Sequence, residues 1–214
     1  MASSDHERVL QVAYKLFAAL GYDATSTSQI AEAAGVQPAA IEEFFGGRRE
    51  LYIAVMRHAY DEERASLHAV LDQLREAESL DVAAALHLLV DNQLDFVAVH
   101  PDAYALRTHR WLSDAMDVAE VETRYLQPLY QSILDLFQPA VAAGQLTGDT
   151  DLQYVLYMCT WCIHGFALGG VPHDEGVPKT YTDEREWRRF RLRLHQMVHR
   201  ALLLPGDYSP AEPY

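Results

Sequence analysis

Two sets of residues have types and spacings that could do covalent or metal chemistry. Cys159 and Cys162 stand in CTWC, the C-x-x-C spacing of a dithiol redox centre. A reactive thiol needs a helix N-terminus or a nearby cation to hold its thiolate, and CTWC lies inside the apolar run YVLYMCTWCIHGFALGG, so inert core cysteines are expected. His195 and His199, in HQMVH, sit one helical turn apart, which is metal-ligand geometry. Gln196 occupies the position where a zinc peptidase needs a glutamate base, so no catalysis is implied, and a fortuitous or interface pair without metal is expected. No glycine-rich phosphate cradle, nucleophile elbow or carboxylate cluster is found elsewhere. The sequence therefore gives no catalytic residue, no metal site and no cofactor, and points away from an enzyme.

A third set suits binding. Gln93, Phe96, His100, Tyr104, Arg107, His109, Trp111, Met116 and Tyr125 gather aromatic and polar groups near helix ends, the mixture of apolar wall and few polar fixers that small-molecule sites use. An aromatic or amphipathic ligand would fit such a lining, with Arg107 available to an anionic group. A fourth feature is the adjacent pair Glu42 and Glu43 in QPAAIEEFF, residues 37–45.

The elements that must position these residues are all helical, because apolar residues recur at three- and four-residue spacing and β-branched alternation is absent. A first helix is expected from about Asp5 to Leu20, stopped by Gly21. Ser26 with Gln29 forms a capping box for QIAEAA, which ends at Gly35, and Pro38 opens a third helix. After Gly46 and Gly47 a long helix runs from about Arg48 to Ala77. Later helices are expected near 81–99, 102–111, 117–143, 150–169 and 184–204. Three domains follow: 1–47 as a three-helix bundle, 48–204 as a larger helical domain, and 205–214 as a flexible tail.

Bulk properties narrow the setting. The 214 residues, 50% hydrophobic, can bury a substantial core. The start MASSDHER has no basic region leading into an apolar one, so a cytoplasmic location is expected. The longest apolar run falls short of the roughly 20 residues that span a bilayer, so no membrane partner is expected. Its helix is apolar all round, which predicts burial all round. Net charge is −14, which opposes general adhesion to nucleic acid or anionic membrane.

The stretch IAEAAGVQPAAIEEFF reads as helix, glycine corner, helix, with small Ala31 and Ala34 allowing close approach. Gly21, Tyr22, Thr25, Ser26, Ile30, Ala31, Ala34, Gly35, Val36, Ile41, Phe45, Gly47 and Leu51 fall at the spacing of the TetR family of bacterial regulators, which this segment resembles. Gln37, Ala39, Ala40, Glu42 and Phe44 depart from that pattern, Glu42 standing where the family has a phosphate-contacting tyrosine.

The resemblance implies a homodimeric regulator, a repressor released by a small-molecule effector, that binds a near-palindromic double-stranded DNA operator. It implies that Ser26, Thr27 and Arg48 hold phosphates, that Gln37, Pro38, Ala39, Ala40, Glu42, Glu43 and Phe44 lie at the groove, and that helices near 150–169 and 184–204 pair two copies. Ile41 and Phe45 are expected to face inward, and Glu42 and Glu43 outward. Over residues 1–50, four cations meet seven carboxylates, net −3, so the module lacks the basic footprint of a DNA binder. Two readings stay open: the glutamates favour selectivity over affinity, or the chain is a helical ligand-binding protein whose DNA binding is weak or lost.

Overall fold

The structure, a computed structural model, describes residues 2–112, 114–118, 120–146, 151–173 and 176–209. Among them the helices are α1 (Ala2–Leu20), α2 (Thr27–Ala34), α3 (Pro38–Phe45), α4 (Arg48–Glu76), α5 (Val82–Val99), α6 (Pro101–Trp111), α7 (Gln127–Ala142), α8 (Leu152–His164) and α9 (Glu184–Ala201). Helix α7 is narrower than the expected 117–143. Its approach is a 3-10 turn, Met116–Val118, and a π-helical turn, Glu122–Leu126. Parts of the segments around 113, 147–150 and 174–175, and residues 210–214 of the expected tail, lie outside the described residues.

The chain divides into two compact units, one built from residues up to Glu63 with His100–Gln127, the other from Arg64–Val99 with Pro128 onward. In the first, α1 packs on α2 and α6, and α2 on α3. Val9, Ala13 and Phe17 recur at four-residue spacing on α1 and are fully buried, as an amphipathic helix requires. The Phe17 ring meets Tyr52 of α4 edge-on at 5.1 Å, and Tyr22 lies 4.7 Å from the same ring. These aromatics join α1, the following turn and α4 into one core.

In the second unit α5, α8 and α9 pack on one another. Phe166, in the π-helical turn Gly165–Gly169, stacks on Phe190 at 4.2 Å. Helix α5 is long and apolar enough to cross a membrane by composition alone, yet Asp91 and Asp95 on it are ion-paired with Arg191, as in a core helix with one polar edge. The expectation that the 150–169 helix is buried all round is corrected. Leu152, Val155, Cys159 and Ile163 are buried, whereas Tyr154 and Trp161 are about half exposed and Met158 and Cys162 also reach the surface.

Part of the expected tail is held. Tyr208 stacks against His195 at 4.7 Å, because an aromatic ring gains more from covering imidazoles than from solvent.

Candidate nucleic-acid interface

Helix α2 begins with the capping box read from the sequence. Ser26 Oγ accepts the Gln29 backbone N–H at 3.2 Å, and Gln29 Oε1 accepts the Ser26 N–H at 2.8 Å and its hydroxyl at 2.9 Å. With the Ser26 side chain closed on Gln29, the first-turn N–H groups of Thr27 and Ser28 are the donors left pointing along the axis. Helix N-termini attract phosphate through such groups.

Gly35 ends α2 at φ 66°, a left-handed conformation, and the Val36 N–H reaches back to Ala31 O at 3.0 Å. That corner turns the chain into α3, where Pro38 occupies the first turn and Gln37 the cap position without a side-chain bond. Ile41 is the buried anchor of α3, while Gln37, Pro38, Ala39, Glu42 and Glu43 are exposed and Ala40 is half-buried. Phe44 and Phe45 are half-buried rather than interior. His6 of α1 stacks on Phe45 at 4.4 Å and lies 6.0 Å from Phe44. No sequence spacing signals this histidine shield, because it joins residues nearly forty positions apart.

The cations are largely engaged within the unit. Arg48 lies 4.1 Å over the Tyr22 ring and donates to Thr25 O at 3.2 Å. Arg49 is paired with Glu120, and Arg8 donates to Ala34 O at 2.7 Å. Glu42 Oε2 lies 3.3 Å from where a Cβ on Gly47 would stand, so this carboxylate leans toward the start of α4. A negative charge is stabilised there by the helix dipole. Glu43 is exposed on the outer face of α3.

The expected small-molecule residues fall in both units. In the first, Arg107 Nη1 donates to both Glu63 carboxylate oxygens at 2.9 and 2.7 Å, in a pair almost fully buried. Its guanidinium lies 5.6 Å from the Tyr60 centroid and 5.7 Å from that of the fully buried Tyr104, and Tyr125 stacks on Tyr60 at 5.9 Å. Arg107, Tyr104 and Tyr125 are thus brought together, with Tyr60 and Glu63 as members that sequence spacing alone missed. His100 Nδ1 approaches Glu62 at 3.4 Å, and His109 bonds to Ala18 O at 3.1 Å. Trp111 is partly exposed and Met116 largely so. Gln93 and Phe96 belong to the second unit, where Phe96 is buried.

The cysteines do not carry redox geometry. Burial, and then Cys162, pushes the Cys159 thiol up to about 12, and burial also raises that of Cys162. Cys162 is exposed, which corrects the expectation that both lie in the core.

Known proteins agree with the fold and the corner. The family described as bacterial regulatory proteins, tetR family, matches residues 9–55. The HTH-type transcriptional repressor NicS of Pseudomonas putida is 25% identical over 147 residues, which is 69% of this chain and 66% of NicS, so the match spans just under two thirds of that relative. The HTH-type transcriptional regulator RutR of Escherichia coli is 28% identical over 175 residues, 82% of this chain and 79% of RutR. Among solved structures, a tetR-family regulatory protein from Rhodococcus RHA1 superposes with a TM-score of 0.68 at 16% identity, covering 96% of this chain and 98% of that one. Together with the capped α2, the Gly35 corner and the exposed face of α3, these matches give residues 9–55 a tetR-family segment and make the chain similar to bacterial transcriptional regulators of that family.

Proposed function

We propose that this regulator is an effector-responsive repressor that binds a near-palindromic operator as a homodimer, with α3 of each copy in a major groove. The observation that carries this reading is the Gly35 corner, which fixes α3 on its Ile41 anchor and leaves Gln37, Pro38, Ala39 and Glu43 outward. Thr27 and Ser28 supply the phosphate-facing amides in this arrangement, and two reading helices about 34–36 Å apart meet successive grooves. The outward row Tyr154, Met158 and Trp161 on α8, with Met197 on α9, gives a second copy an apolar surface to cover. Such an assembly acts in the cytoplasm, where the operator is.

The effector reading rests on the first unit. Arg107 is already neutralised by Glu63, so the cluster of Tyr60, Tyr104 and Tyr125 favours an aromatic or amphipathic effector over a simple anion. His100, Trp111 and Met116 complete the candidates in that unit, and Gln93 and Phe96 those in the other. The reader helices and residues 100–127 share one compact unit, so a disturbance near Tyr125 reaches α1 and α2 within that unit. Coupling of about 1–3 kcal/mol, or 5- to 150-fold in operator affinity, is the usual scale.

A second reading, a ligand-binding protein of this fold with weak DNA binding, is favoured by the internal engagement of Arg8, Arg48 and Arg49. Selection of bound fragments from the source genome at low and moderate salt decides between them. An enriched palindromic sequence supports the repressor, and recovery of fragments without sequence preference supports the second reading.

A further inference from the structure

The histidine pair of α9 belongs to a larger construction in the second unit. His87 of α5 sets Nδ1 2.9 Å from His195 Nδ1 and Nε2 3.0 Å from His199 Nδ1. The outer nitrogens end on acceptors, His195 Nε2 at 2.9 Å from Asp91 Oδ1 and His199 Nε2 at 3.0 Å from the Gly206 carbonyl oxygen. Tyr208 lies against the rings, 4.4 Å from His87 and 4.7 Å from His195. His195 and His199 are buried.

Hydrogens can be counted along this relay. A neutral imidazole carries one N–H and one lone pair. The carboxylate and the carbonyl only accept, so each end requires a ring N–H, and each of the two ring-to-ring contacts requires one more. Four contacts need four hydrogens, whereas three neutral rings hold three. With three, two lone pairs face each other at hydrogen-bond distance in a buried place, which is costly. With four, every contact is satisfied and one ring is an imidazolium. Arg191 Nη1 donates to the same Asp91 oxygen at 3.0 Å, which keeps that carboxylate an acceptor.

We propose that the His195, His87 and His199 relay retains one proton beyond its neutral complement at neutral pH, and that this proton fastens the Leu204–Tyr208 segment onto α5 and α9. The proton belongs to the coupled set, not to one ring. The central ring is its least favourable seat, since burial and then the flanking His195 and His199 push His87 down to about 4. Asp91 of α5 and Asp81 just before that helix favour charge on His87, and Asp95 is paired with Arg191 of α9. Asp207 adjoins Tyr208 in the segment, and α8, packed on both helices, carries buried Cys159 and His164. A metal ion does not account for the arrangement. His87 turns its nitrogens to two different rings, and no group of three or more candidate ligands among the described residues could hold one.

The relay makes docking of the segment strongest near neutrality. Removing the proton brings two lone pairs together, and adding a second brings two N–H groups together. The unfolded chain's histidines, each near 6.5, hold few protons at alkaline pH and about three in acid, while the relay holds one. Stability therefore falls as pH rises on the alkaline side, where the folded state binds more protons, and falls as pH drops on the acid side, where it binds fewer.

The test uses the full chain labelled with 15N-histidine, with ring protonation read from two-bond proton–nitrogen correlations between pH 5 and 9. Hydrogen exchange of residues 202–209, corrected for intrinsic rates, is followed in parallel. The expected result at pH 7 is one imidazolium shared by the three rings, and segment protection falling about tenfold on either side, the factor for one pK unit. His199→Ala flattens that profile. Should it fail to fold, His87→Phe, which removes both ring-to-ring contacts and leaves each outer ring one N–H for its own acceptor, loses the imidazolium signal at pH 7. Three neutral rings at pH 7, pH-independent protection, or an imidazolium retained in His87→Phe overturns the proposal.

Discussion

Asp114 holds the turn between α1 and α2 by its backbone, accepting the Tyr22 N–H at 2.6 Å on Oδ2 and the Asp23 N–H at 2.8 Å on Oδ1. Ninety residues separate the partners, yet they lie in one compact unit. Arg110 reinforces the same segment, donating to both oxygens of Glu122 at 2.8 Å and to the carbonyls of Asp114 and Ala115. Hydrogen bonds to a charged group are worth roughly 1.5–3 kcal/mol each. Asp114→Ala is therefore expected to cost about 2–3 kcal/mol in urea unfolding and to weaken operator binding. A loss under about 0.5 kcal/mol, ordinary for a surface substitution, would show that the clamp does not hold the turn.

Glu43 is the outward carboxylate of α3, whereas Glu42 leans toward α4. Glu43→Lys is expected to add one phosphate contact and to steepen the dependence of log affinity on log salt by about 0.9. Glu42→Gln should leave that slope nearly unchanged. Anisotropy titrations of a duplex over a range of salt concentrations measure both, and equal slopes for the two variants would remove the distinction.

The helices, the Ser26 capping box, the Gly35 corner and Pro38 at the start of α3 were legible because each depends on residues a few positions apart. Pairings across the chain were not. The one-turn spacing of His195 and His199 could be read, but their junction with His87 is set by how α5 packs on α9. Arg107 could be named as a cation near aromatics, while Glu63, which neutralises it, lies forty-four positions earlier on another helix. The resemblance makes Arg48 a phosphate ligand, whereas its seat over Tyr22 depends on a turn whose shape Asp114 fixes.

Two glycines should differ in what an added side chain costs. Gly35 has φ 66°, with nothing within 4 Å of where a Cβ would lie, so Gly35→Ala should cost only the left-handed penalty, about 1–2 kcal/mol. Gly170 has φ 66° with ψ −172°, a region essentially reserved for glycine, and its Cβ would fall 2.7 Å from Lys179 O, beside the backbone bridge between Val171 and Lys179. Gly170→Ala must therefore displace that bridge and should lose more. Chemical denaturation ranks the two, and a larger loss at Gly35 would contradict this account.

The buried pair of Glu63 and Arg107 predicts an asymmetry between single and double substitution. Arg107→Met alone strands a carboxylate in the core, and breaking a buried pair in this way costs about 3–5 kcal/mol. Glu63→Gln combined with Arg107→Met removes both charges and should recover much of that loss. The comparison is made by urea unfolding, and a double variant no better than the single one would mean that the pair acts by shape rather than charge.

His87 sets the acid limb of stability. Burial and its two neighbouring imidazoles lower it from 6.5 to about 4. Between those values the unfolded chain takes up a proton that the folded ring refuses, so stability falls as pH drops from about 6.5 and levels off near 4 for this group. His87→Gln removes the difference in proton uptake at this position. Unfolding free energies from pH 7 to pH 4 should therefore fall less steeply in the variant, even if its stability at pH 7 is lower. Parallel curves would assign the acid sensitivity to other groups, because a lost contact shifts the whole curve whereas a lost proton site changes its slope.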